Sequence, residues 1–195
     1  MINSAKVTFD QLNSAVLEVQ DELYQLGLWN EDSRLPRTEV FWCRFPQVVA
    51  LRALGFFIPP RAKSLELIGY EVGNIYIPQW VLRRRFWKKR GSLRDVVRHE
   101  YGHAVEYHYP MLATRSKRFK SAFCGPYPGN YEENEHIYVT ENAATEQTED
   151  FADTFEIFVR HGGEIPSKLN TPHIKRKWNF IAELCEVIDS GATKW

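Results

Sequence analysis

Apolar residues recur at helical spacing in four parts of the chain, separated by proline, glycine and polar runs. In the first, Leu12, Val16, Val19, Leu23 and Leu26 fall on one face, and Gly27 fits the end. Thr8-Phe9-Asp10-Gln11 ahead of them resembles a capping box. Residues 30–37 are polar with one proline and read as loop. The run E-V-F-W-C-R-F at 39–45 is strand-like, and 47–54 fits a short helix. Residues 55–60 are apolar, then broken by two prolines. Strands are expected at 64–70 and 72–77. Asn74-Ile75-Tyr76-Ile77 runs into Pro78, which suits an edge strand better than a central one.

The second helical part spans 93–109. Ser92 is its expected cap, Asp95 favours the positive end of the dipole, and Pro110 stops it. Val96, Val97, Ala104 and Val105 supply its apolar positions. Gly102 costs about 1 kcal/mol against alanine in a helix, so a close backbone approach is expected there. Residues 110–144 read as a long irregular loop, marked by Gly125-Pro126, Pro128-Gly129-Asn130 and the polar run 132–135. A third helix is expected over 146–161, with Thr145 as cap and Gly162-Gly163 as stop. A fourth opens at Thr171-Pro172 and carries Ile174, Trp178, Ile181, Ala182 and Cys185 to near Gly191. No repeat or low-complexity linker divides the 195 residues, so one domain is expected, with 1–40 as a helical extension packed on it.

Composition narrows the function less. The 25 basic and 25 acidic residues cancel, so no global field favours a polyanionic partner. Cys43, Cys124 and Cys185 form no metal clip and no disulfide framework. No apolar run reaches the roughly 18 residues of a membrane span, and no signal peptide is evident. A cytoplasmic location is the expectation.

The candidate chemistry lies in the second helix, at His99-Glu100-Tyr101-Gly102-His103. Histidines four apart on a helix share a face and can hold one metal ion, usually zinc. The glutamate between them is placed to act as a base on water. A catalytic site needs a third protein ligand. Glycine at 106 and histidine at 109 would mark the long-motif zinc peptidases. The chain has Glu106 and Tyr109 instead. Glu106 is a rival ligand on paper only, since one rigid helix rarely gives three ligands to a tetrahedral ion. The later run Glu149-Asp150-Phe151-Ala152-Asp153 serves better. Glu149 is the expected third ligand, and Asp153, four residues on, the acceptor for the far nitrogen of His99. Asp150 points about 100° away from Glu149.

His99–His103 followed by this acidic helix resembles the gluzincin clan of zinc metallopeptidases. Tyr138-Val139-Thr140-Glu141-Asn142-Ala143-Ala144-Thr145 leading into it is similar to a group of bacterial zinc-binding metallopeptidases. The resemblance covers residues 75–161. It implies an α+β, zincin-like fold: a twisted mixed sheet with its edge strand beside the histidine helix, and flanking helices. It implies Zn2+ as cofactor and a peptide or protein as substrate. Similar proteins often carry a tyrosine seven residues before the glutamate ligand, as oxyanion donor. This chain has Asn142 there, with Tyr138, Tyr131 and His136 as local alternatives. The substrate is expected to add as a strand along Asn74, Ile75, Tyr76 and Ile77.

Two features fit other readings. Arg83-Arg84-Arg85-Phe86-Trp87-Lys88-Lys89-Arg90 can bind a nucleic-acid strand or steer an acidic substrate, or simply be a solvated connection. The cluster at 173–177 reads as the exposed face of the last helix. Cys43 can cap the zinc as a thiolate or pack as a small apolar residue. Three functions therefore stand side by side: a zinc endopeptidase, a non-catalytic zinc domain, and a nucleic-acid-associated protease.

Overall fold

A computed structural model describes residues 9–31, 33–43, 55–58, 73–78 and 91–195. Thr8 of the capping box, the helix at 47–54, the strand at 64–70 and the basic stretch 82–90 lie outside the described residues. The order is α1 (Phe9–Gln25), β1 (Val40–Cys43), β2 (Phe56–Phe57), β3 (Ile75–Pro78), α2 (Leu93–His108), α3 (Lys117–Ala122), α4 (Gln147–Arg160) and α5 (Pro172–Asp189). Helices dominate a small sheet, an α+β arrangement.

Each helix forms for a local reason. The Ser92 side chain accepts from the Asp95 amide, and Asp95 accepts from the Ser92 amide at 2.6 Å. This capping box satisfies two orphan donors and stabilises α2 by about 1 kcal/mol. Thr171 caps α5 ahead of Pro172. Past α4, Gly162 and Gly163 take φ of +57° and +86°, which turns the chain out of the helix. The cap of α4 differs from expectation. Glu146 occupies it without a side-chain bond, while the Thr145 hydroxyl donates to the Asn142 carbonyl at 2.7 Å.

The sheet has three strands among the described residues, ordered β1-β3-β2. β1 runs parallel to β3, with Val40 opposite Ile75, and β2 antiparallel, with Phe57 opposite Ile75. The sheet is mixed, as expected, but β3 is central and not an edge. Pro78 closes the strand, so its missing N–H leaves Ile75 and Tyr76 paired on both sides and Ile77 paired with β1. Asn74 reinforces this: its Oδ1 accepts from the Glu39 amide at 3.0 Å and its carbonyl from Ile58 N at 3.0 Å.

The N-terminal helix belongs to the core. Val19 and Leu23 are fully buried, and α1 lies against α2. Arg98 of α2 donates twice to Glu22, at 2.6 and 2.7 Å, and Gln20 donates to the Tyr101 hydroxyl at 3.1 Å. The stretch 110–144 contains a helix that its sequence hides. Lys117–Ala122 has too few apolar positions to show a period, yet Ser116 caps it and Phe119 packs on Phe123, Phe151 and Phe180. Lys177, expected on an exposed face, is buried instead. Among the described residues, no helix is long and apolar enough to cross a membrane.

Candidate metal centre

α2 and α4 cross closely enough to share a site. A Cβ on Gly102 would stand 2.9 Å from the Ala152 Cα, so glycine permits the approach that the sequence led us to expect. The crossing brings His99 and His103 of α2 opposite Glu149 of α4. His99 Nε2 lies 3.4 Å from Glu149 Oε2, and His103 Nε2 lies 3.5 Å from Oε1. The three groups offer donor atoms within 4.8 Å of one another. These separations are too long for good hydrogen bonds. They match the roughly 3.3 Å expected between tetrahedral ligands that each stand about 2.0–2.1 Å from one ion.

The outer nitrogens are backed by carboxylates. His99 Nδ1 lies 2.6 Å from Asp153 Oδ1, and His103 Nδ1 lies 3.4 Å from Glu106 Oε2. The first contact is the shorter, and Asp153 holds the His99 imidazole up against its burial. Both orient Nε2 towards the shared centre. Glu106 therefore faces the back of His103, and is no third ligand beside it. Cys43 sits in β1 and is not part of the group.

Glu100 is buried, and its Oε2 has no hydrogen-bond partner among the described residues. The same holds for Glu106 Oε1. Two such carboxylate oxygens beside two histidines form an environment that a cation would neutralise. The donor set itself, two imidazoles and a carboxylate, suits zinc. Gly55 makes room for Glu100: a Cβ there would lie 2.9 Å from Glu100 Oε1 and 2.9 Å from Ile77 Cδ1. Nothing in the sequence singled out Gly55, which opens the apolar run broken by two prolines.

Ionisation follows the crowding of charge. Burial would push the His103 imidazole down, but Glu106, Glu149 and the charge on Glu100 hold it up at about 10. His99 is likewise raised against its burial by Asp153 and Glu149. Burial pushes Glu149 up, and the two histidines more than reverse this, holding it far below the usual carboxylate range. Burial raises Glu106, opposed by His103.

The expected oxyanion donors are engaged elsewhere. Tyr138 is fully buried and its hydroxyl donates to the Pro126 carbonyl at 2.6 Å, packed against Gly125 and Gly129. Asn142 donates its amide to Glu149 Oε2. His136 meets His173 edge-on, ring centroids 5.7 Å apart, and Tyr131 packs against the core. Asn74, Ile75, Tyr76 and Ile77 are buried, and Ile75 and Tyr76 are paired on both sides, so they offer no open edge to a substrate strand. One polar residue went unnoticed in the sequence: Thr140, whose hydroxyl donates to Asp153 Oδ2. Comparison with models of known protein families, with curated proteins and with solved structures found no match.

Proposed function

We propose that this chain is a zinc-dependent metallopeptidase of zincin-like design, with His99, His103 and Glu149 as ligands. The observation that carries the reading is the spacing of three donors from two helices, with buried Glu100, whose Oε2 has no hydrogen-bond partner among the described residues, one residue from the first ligand. A zinc ion held there would supply a Lewis acid that acidifies water and polarises a carbonyl. Glu100 takes the proton from the water that attacks the peptide carbonyl, and returns it to the departing amine nitrogen. Asp153 and Glu106 keep each imidazole in the tautomer that leaves Nε2 free as a donor. Gly55 keeps the space in which the Glu100 carboxylate stands. Peptide would reach the site by a path other than β3, which is paired on both sides.

A second reading, a zinc-binding domain without efficient catalysis, draws support from Asn142 and Tyr138, both committed to other groups. Cleavage of a peptide library by zinc-loaded protein separates the two. The peptidase reading expects wild type to cut and Glu100→Gln to lose roughly 10²–10⁴-fold in rate. Equal inertness of both across the library would leave the zinc domain as the surviving reading.

A further inference from the structure

The turn at 140–145 places two side chains on the acidic face of α4. Thr140 donates to Asp153, the residue behind His99, and Asn142 donates to Glu149 itself. Both donors come from one hydrogen-bonded turn. The Thr140 hydroxyl also accepts from the Ala143 amide at 3.0 Å, and the Asn142 carbonyl accepts from Thr145 N at 3.0 Å and Thr145 Oγ1 at 2.7 Å. The Ala144 carbonyl accepts from Gly129 N at 2.7 Å, tying the turn to the preceding loop.

That loop is anchored in turn from beneath. Lys177 of α5, buried, donates to Asp150 at 2.5 Å and to the Ile137 carbonyl at 2.6 Å. Tyr127 donates to the same Asp150 oxygen at 2.5 Å. The anchor on Asp150 and the clamp on Glu149 thus use adjacent residues of one helix, facing different sides.

We infer that Thr140 and Asn142 are positioning residues that set metal affinity, holding Glu149 and Asp153 in place for binding. The inference rests on the zinc-site reading above. A Glu149 oxygen that already accepts from an amide is restrained before any ion arrives, so less side-chain freedom is lost on binding. Asn142 therefore serves the ligand, although its sequence position suggested a donor to the substrate.

Chelator competition with zinc, and the visible spectrum of the Co2+-loaded protein, test this on the full chain. Wild type, His103→Ala, Thr140→Val, Thr140→Ser and Asn142→Leu are compared. Wild type should bind, and His103→Ala should not. Thr140→Val and Asn142→Leu should each weaken binding roughly 10–100-fold, Asn142→Leu with a changed Co2+ spectrum, while Thr140→Ser binds like wild type. The metal-free melting temperatures of Thr140→Val and Asn142→Leu, expected to stay near that of wild type, report whether the turn folds as before. Wild-type binding with undiminished affinity in Thr140→Val and Asn142→Leu overturns the clamp and leaves the zinc reading standing. Absence of binding by wild type overturns both.

Discussion

Gly102 carries a close approach between the two helices of the site, with Ala152 as its opposite number. Gly102→Ala would force a methyl against backbone, which cannot swing aside like a side chain. It should destabilise the fold by about 1–3 kcal/mol and weaken metal binding, because Glu149 stands three residues before Ala152. Thermal melting with and without zinc checks both effects. This was legible in the sequence, as was the meeting of His99, His103, Glu149 and Asp153, because helical periodicity converts spacing directly into a shared face. Thr140, Gly55 and the role of Glu106 were not legible. The first two lie outside regular elements, where spacing implies no direction. Glu106 shows its role only once the His103 ring orientation is known.

Among the elements, α4 is held from two sides. Its Glu149 and Asp153 face α2, while Asp150 faces α5 through Lys177. Burial pushes Asp150 up and Lys177 down, and each is opposed by the attraction of the other. Breaking such a pair costs more than the pair contributes, because it leaves a buried charge unpaired. Lys177→Met should therefore destabilise the protein by about 3–5 kcal/mol, and adding Asp150→Leu should recover much of it, measured by urea unfolding. The helices were placed by their caps and stops to within a residue or two, apart from α3. The sheet was read less well. Pro78 pointed to an edge because proline disrupts a central strand, but at the last position of β3 its missing donor has little effect. Lys177 misled for a related reason: three basic residues at 173–177 read as one exposed face, while the helix turns the last of them inward.

At the scale of the whole molecule, α1, α2, α4 and α5 build a helical body around one buried cluster, and the small sheet lies against α2 beside Glu100. Net charge is zero, yet negative charge is concentrated at one point: Glu100, Glu106, Glu149 and Asp153 surround two histidines. The crowding of carboxylates around the two imidazoles adds to the spacing of the three donors as a reason for expecting a cation. Metal content of the purified, zinc-replete protein is the most direct test. The account predicts about one zinc per chain, lost on His99→Ala, His103→Ala or Glu149→Ala and retained in Glu100→Gln. Less than about half an equivalent in wild type, or zinc retained after the histidines are removed, would contradict it.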